Sequence, residues 1–181
     1  MSTPSLVALI VVILVVAVAV FAFLQRQKTR KLKSTFGPEY DRVIDQEKNA
    51  RRGEAVLQER QRRVEKYQIR PLTRDECDMF GAKWHATQAH FVDDPREAVA
   101  QADSLITDAM RTRGYPMSDF DQRAADLSVD HPEVVEDYRI AHEIAIRDSR
   151  DLATTEDLRK AMQHYRSLFE HVLDTHVLQH R

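Results

Sequence analysis

The feature that most constrains this chain is an uninterrupted apolar run near its N-terminus, Leu6–Leu24. The run reads LVALIVVILVVAVAVFAFL and carries no charged or hydrogen-bonding side chain. A helix rises about 1.5 Å per residue, so this run would span roughly 28 Å, close to the ~30 Å hydrocarbon core of a bilayer. We therefore predict a transmembrane helix over residues 6–24.

Three other interpretations of this run fit less well. A cleaved secretory signal has a positive n-region, an apolar core of about 7–15 residues and a small-residue cleavage site. Here only MSTPS precedes the run, and Val20-Phe21-Ala22 is a poor cleavage site. A lipoprotein signal needs a cysteine directly after the run, whereas the single cysteine is Cys77. A soluble core helix is seldom apolar on every face, so a retained anchor is favoured.

Five cations follow the apolar run, and no acidic residue lies among them or before them. Positive flanks stay on the cytoplasmic side, which predicts that residues 1–5 face outside and that the C-terminal part is cytoplasmic. The cluster serves either as a topology signal, which we favour, or as a binding site for anionic lipid headgroups. We call it the basic collar, and its members are the candidate site residues of the chain: Arg26, Lys28, Arg30, Lys31 and Lys33.

The charge balance of the remainder limits its partners. All 29 acidic residues lie after the collar, together with 22 of the 27 basic residues, which leaves the soluble part with a formal charge of about -7. An acidic balance of this size argues against a general nucleic-acid-binding face. One cysteine cannot form an internal disulfide, which fits a reducing cytoplasmic compartment.

Beyond the anchor we predict a basic juxtamembrane linker over residues 25–35, a long charged helix over residues 36–70 and a helical bundle core over residues 71–181. The charged helix carries a narrow apolar stripe with a residue at every seventh position, and Gly53 is a candidate bend. Two interpretations remain open for it, a stalk and an outer helix of the bundle. The stripe consists of Phe36, Val43, Ala50, Leu57 and Val64.

The bundle helices are marked by capping residues and by apolar stripes at helical spacing, two of which run over Val99–Met110 and Leu158–Leu173. Thr73 with Glu76 and Thr154 with Asp157 have the spacing of capping boxes. Gly114 is placed to end a helix. No segment alternates as a strand does, so we predict an all-α chain with a cytoplasmic bundle of five or six helices. The predicted N-caps are Thr73, Asp94, Ser118, Asp130 or His131, and Thr154.

Few residues suggest chemistry. His176 and His180 lie one helical turn apart, and His164 and His171 lie seven residues apart, but no glutamate has a histidine three residues later and the His-Glu-x-x-His motif is absent. We therefore predict no metal site, no cofactor and no catalytic residue.

Three further positions have two interpretations each. Asp130-His131 is an acid–base pair or a helix cap, and we favour the cap. Tyr115 packs over a helix end or forms a binding tip, and we favour packing. Cys77 is a nucleophile or a small semi-buried residue, and we favour the second.

Several segments after residue 36 resemble an uncharacterised family of bacterial membrane-anchored helical proteins. The resemblance carries no known activity, so it transfers no functional residue. It implies a bacterial origin, and hence the inner (cytoplasmic) membrane. The segments are FGPEYDR (36–42), HFVDDPREAV (90–99), RGYPMSDF (113–120), AADLSVDHPEVVEDYRIAH (124–142) and TEDLRKAMQHYRSLF (155–169).

Three functions remain compatible with these features. The first is a membrane-tethered interaction or scaffold module with a protein partner. The second is a helical bundle that binds a small molecule or a metal, with or without enzymatic activity. The third is a sensor of anionic lipid that acts through the basic collar.

Overall fold

The structure, a computed structural model, describes the backbone of residues 3–173 and the side chains of residues 11–173. All regular elements in this range are helices, which confirms the all-α prediction for the described residues. The chain forms two compact units, unit 1 (Met1–Leu57) and unit 2 (Gln58–Arg181). The helices are α1 (Thr3–Phe36), α2 (Pro38–Glu47), α3 (Ala50–Val64), α4 (Arg74–His90), α5 (Pro95–Arg113), α6 (Phe120–Asp130), α7 (Val135–Asp148) and α8 (Thr155–Val172).

Helix α1 contains the apolar run and continues without interruption through the basic collar. The predicted juxtamembrane linker, residues 25–35, is therefore helical. The large apolar side chains between Val11 and Leu24 are 51–66% exposed. By length and composition, this is a helix that could cross a membrane.

The charged segment predicted as one helix over residues 36–70 is two helices, which corrects that prediction. The first ends at Lys48, whose backbone is left-handed (φ 49°). Asn49 begins the second helix, because its side-chain oxygen accepts a hydrogen bond of 3.1 Å from the Arg52 backbone N–H. The sequence suggested a bend at Gly53, but the chain breaks five residues earlier, at Lys48.

Gly53 instead permits close helix packing within unit 1. A β-carbon on this residue would lie 3.2 Å from the Ile44 Cα and 2.5 Å from its Cδ1. The α2 and α3 backbones therefore approach each other closely at Gly53, and a β-carbon there would require Ile44 to shift. Buried apolar side chains of this unit include Leu32, Phe36, Val43 and Leu57.

Unit 2 is built around α8, which packs against α5 and α7; α4 packs on α5, and α6 packs on α7. The stripes predicted for α5 and α8 form much of its core. Trp84 of α4 stacks on Phe169 of α8, with ring centroids 4.7 Å apart. The buried members from α5 and α8 are Val99, Ala102, Leu105, Ile106, Ala109, Met110, Leu158, Met162, Tyr165, Leu168, Phe169, Val172 and Leu173.

Four of the predicted helix signals are confirmed. Thr73 and Thr154 form complete capping boxes, and Asp94 accepts from the Glu97 backbone N–H. Gly114 ends α5 in the left-handed conformation, with φ 102°. These signals succeed because each depends on residues within one turn of the chain.

Two predicted caps are wrong. Asp119, not Ser118, caps α6, since its carboxylate accepts from the Gln122 backbone N–H at 2.9 Å. Neither Asp130 nor His131 caps α7: Asp130 is the last residue of α6, and the His131 backbone N–H donates to the Leu127 carbonyl. A tight turn follows, and α7 begins only at Val135.

Candidate functional site

The five residues of the basic collar all lie on α1 beyond the apolar run, and all five are exposed. Leu32 and Phe36, between and after them, are buried. The collar therefore lies on the part of the α1 surface that is left exposed within unit 1. Lys33 also places its ammonium 5.0 Å from the centre of the Tyr40 ring, a cation–π contact within unit 1.

Glu54 joins three helices of unit 1 through one oxygen. Its Oε1 accepts from the Thr29 hydroxyl at 2.6 Å and from the Tyr40 hydroxyl at 3.0 Å. Burial and the hydrogen bond to the Glu54 carboxylate raise the pKa of Tyr40 to about 12. The phenol therefore stays protonated and remains a donor at neutral pH.

Unit 2 contains a cleft of about 800 Å³ that is open to solvent on one side. Its wall combines the end of α3, the segment that leads to α4, and the junction between α6 and α7. Polar side chains predominate over apolar ones. The lining residues are Gln61, Val64, Glu65, Tyr67, Ile69, Arg70, Pro71, Arg113, Val129, Asp130 and His131.

Arg113, a buried cation, lies at the inner end of this cleft. Its guanidinium donates to the Val172 carbonyl at 2.9 Å and to the Arg70 carbonyl at 3.3 Å. It also lies 3.0 Å from His131 Nε2. Because a guanidinium can only donate, His131 Nε2 is the acceptor and its neutral ring carries the proton on Nδ1. Glu133 Oε1 lies 3.8 Å from that Nδ1.

Arg70 lies at the cleft entrance as part of a charged pair. It makes two 2.7 Å hydrogen bonds to Glu76, the capping-box glutamate of α4. The Arg70 hydrogen bond, and then the bond from the Thr73 backbone, lower the pKa of Glu76 to about 2. The charges of Arg70 and Glu76 therefore compensate each other at the cleft entrance.

The acid–base interpretation of Asp130 and His131 has no geometric support, because the two side chains bind different partners. Asp130 accepts from the Tyr115 hydroxyl at 2.6 Å, whereas His131 faces Arg113. Tyr115 itself is buried in the core of unit 2. It therefore packs inside the protein, as predicted, and does not form an exposed binding tip. Cys77 is buried, as predicted for a small packed residue.

Asp126 is the polar residue of α6 that sequence reasoning missed. It is 1% exposed and receives hydrogen bonds from Arg63 at 2.8 Å, Gln122 at 2.9 Å and Tyr67 at 3.3 Å. Arg60 donates to Ser128 one half-turn further along α6. The last turns of α3 therefore dock on α6, and this part of the charged segment does not project as a stalk.

The histidines considered as metal ligands are separated in the structure. His164 pairs with Asp137 at 2.7 Å, and His171 Nδ1 lies 2.8 Å from the Ser167 carbonyl. His176 and His180 lie outside the described residues. Among the residues that the structure describes, no group of three acidic, histidine or cysteine side chains is placed to hold a metal ion.

Comparison with known proteins found no relative of this chain. No family model, curated protein or solved structure matches the chain.

Proposed function

We propose that this chain is a membrane-anchored helical interaction module. Helix α1 crosses the inner membrane once, with the N-terminus outside, and the helical units lie on the cytoplasmic side. The observation that carries the proposal is the apolar segment of α1, whose large side chains stay more than half exposed between Val11 and Leu24. Water would disfavour so much apolar surface, whereas a bilayer core would solvate it.

The orientation follows from the collar. Its five cations begin two residues after Leu24 and stand on the same unbroken helix. Cations at this position favour the cytoplasmic side. The bacterial inner membrane rests on the sequence resemblance alone.

Alkaline carbonate extraction of membranes that contain the full chain tests the anchor. We expect the chain to stay in the membrane pellet. Replacing Val15 and Val16 by Asp, in the middle of the apolar segment, should release it, because a charge at a helix centre costs about 2.5–3.5 kcal/mol for insertion. Val92→Asp is the matched control, since Val92 is 83% exposed in unit 2. Release of the unaltered chain would contradict the anchor.

The cleft of unit 2 supports the interaction role. It is open and lined by charged and polar side chains as well as apolar ones, whereas small-molecule sites are usually enclosed and mostly apolar. We expect a photo-crosslinking amino acid at Glu65, an exposed position of its wall, to capture one defined polypeptide in membranes. The same group at exposed Gln163, on α8, is the control. Equal labelling from both positions would contradict a specific partner.

A second candidate function is the binding of a small polar molecule in the same cleft. It is favoured by the size of the cleft and by the convergence of Arg113, His131 and Tyr67 on it. Native mass spectrometry of the full chain released from membranes distinguishes the two functions. A retained small mass that disappears in Tyr67→Ala favours ligand binding, and its absence together with a polypeptide crosslink favours the interaction module.

A further inference from the structure

We propose that unit 1 is a lipid-binding foot, in which the turn between α2 and α3 lies at the level of the lipid headgroups. There it acts together with the basic collar to bind anionic phospholipid. The inference rests on the proposed membrane anchor and adds a second protein segment and a lipid class to it. The segment, which we call the basic turn, contributes Lys48, Arg51 and Arg52.

The first step is the direction of α2. Its Ile44 is in contact with Gly53, and the neighbouring Glu54 accepts the 2.6 Å hydrogen bond from Thr29. Ile44 is therefore at about the level of Thr29, seven residues before α1 ends at Phe36. Because α2 starts at Pro38, directly beyond that end, it runs back along α1 towards the apolar segment.

The second step is the position of the turn. Lys48 lies four residues beyond Ile44, which corresponds to about 6 Å along the helix. Moving the same distance back from Thr29 along α1 reaches about Gln25, the first residue after the apolar run. The basic turn is thus level with the start of the collar, where a spanning helix leaves the hydrocarbon core for the headgroups.

The third step is the charge at this level. All three cations of the basic turn are exposed, as are all five cations of the collar. Asp41, Asp45 and Glu47 on α2 and Glu54 on α3 are the acidic residues over the same stretch, so eight cations face four carboxylates. None of the eight cations forms an ion pair with any side chain that the structure describes. Cations left unpaired beside a bilayer attract anionic headgroups.

Local contacts of the basic turn hold its cations in fixed positions. Asn49 caps the first turn of α3, and Gly53 seats that helix against α2. Arg51 and Arg52 therefore project from an ordered helix start, and their spacing from the collar is set by the Thr29–Glu54 bond. A collar that served only as a topology signal would not need this second set of cations at the same level.

The test uses the full chain in phosphatidylcholine vesicles, with or without about one third phosphatidylglycerol. A fluorophore is attached to Gln46→Cys, an exposed position beside the turn, with Cys77→Ala to remove the native thiol. A nitroxide on the lipid headgroup then quenches a label that lies at headgroup level. We expect strong quenching, and about two-fold weaker quenching when Lys48, Arg51 and Arg52 are all replaced by Glu.

The matched control carries the same change in charge on unit 2. It replaces the exposed residues Arg62, Lys66 and Arg74 by Glu. Native mass spectrometry should find phosphatidylglycerol retained by the unaltered chain and by this control, and about two-fold less on the basic-turn variant. Equal retention by the two charge variants would overturn the proposal, as would displacement of the lipid by millimolar inorganic phosphate.

Failure of the anchor and failure of the foot give different results. A chain that does not float with neutral vesicles at alkaline pH contradicts the anchor. A chain that floats but carries an unquenched label at position 46 contradicts the foot alone. Circular dichroism of each variant should show unchanged helix content, because every substituted cation is exposed.

Discussion

The Thr29 hydroxyl donates a 2.6 Å hydrogen bond to Glu54 Oε1 and so joins the beginning of the polar part of α1 to the beginning of α3. Tyr40 donates to the same oxygen from α2. Three helices of unit 1 thus share one acceptor. This arrangement keeps the α2–α3 hairpin alongside the collar, on which the proposed lipid-binding foot depends.

Replacing Glu54 by Ala should loosen the hairpin, since two hydroxyl donors lose their acceptor. We expect a loss of about 1–3 kcal/mol in the local opening free energy of α2 and α3. Hydrogen exchange of the α2 amides measures this loss. Glu54→Gln keeps an oxygen acceptor and should lose less than Glu54→Ala. Equal exchange in the two variants would show that the hydrogen bonds do not hold the hairpin.

Gly53→Ala and Gly81→Ala should have opposite effects on stability. Alanine favours a helix interior by about 1 kcal/mol over glycine. A β-carbon at Gly81 meets no atom within 4 Å, so this variant should gain stability. A β-carbon at Gly53 would press on the Ile44 backbone, so this variant should gain nothing or lose stability. Thermal unfolding of the two single variants in detergent checks the contrast, and equal gains would disprove the close contact.

Asp126→Ala should destabilise unit 2, because the side chains of Arg63, Tyr67 and Gln122 lose a buried hydrogen-bond acceptor. Loss of such an acceptor costs about 1–3 kcal/mol. Urea unfolding of the full chain measures the loss. Glu156→Ala is the control, because its pair with Arg159 is exposed and should contribute little. Similar losses from both variants would contradict the docking of α3 through Asp126.

Mild acid should weaken unit 2 through His142. Its ring stacks on Phe120 with centroids 3.6 Å apart, and its Nδ1 is buried without a hydrogen-bond partner among the described residues. Burial lowers the pKa of His142 below its ordinary 6.5, although Asp103 and Asp121 oppose this shift and Arg123 adds to it. The unfolded chain then binds more protons, so stability is present at neutral pH and declines as pH falls below about 6.5.

The measurement for His142 is the difference in unfolding free energy between the unaltered chain and His142→Phe from pH 7.5 to 5.5. Phenylalanine keeps the stack on Phe120 and cannot be protonated. We expect the unaltered chain to lose more stability across this range than the variant. Parallel curves would show that His142 is not responsible.

The sequence predicts local features of this fold well and long-range polar contacts poorly. Thr73, Asp94 and Thr154 cap their helices as expected, because each capping side chain accepts a hydrogen bond from a backbone N–H only three residues further along the chain. The apolar stripes of α5 and α8 likewise predict their buried faces. These signals require no knowledge of which helices are neighbours.

The missed features depend on distant partners. Asp126 meets Arg63 across 63 positions, and Arg113 meets the Val172 carbonyl across 59, so neither pairing leaves a local pattern. His131 resembles a cap in sequence, but its ring is drawn to Arg113. The break at Lys48 was missed because an αL lysine has no signature like that of glycine.

The most direct test of the central claim is the sidedness of two introduced cysteines in intact cells. In a Cys77→Ala background, Ser2→Cys and Gln46→Cys lie before and after the apolar run. A maleimide that cannot cross membranes should label position 2 in sealed cells and position 46 only after permeabilisation. Labelling of both positions in sealed cells, or of position 46 alone, would contradict a single crossing by α1 with the helical units in the cytoplasm.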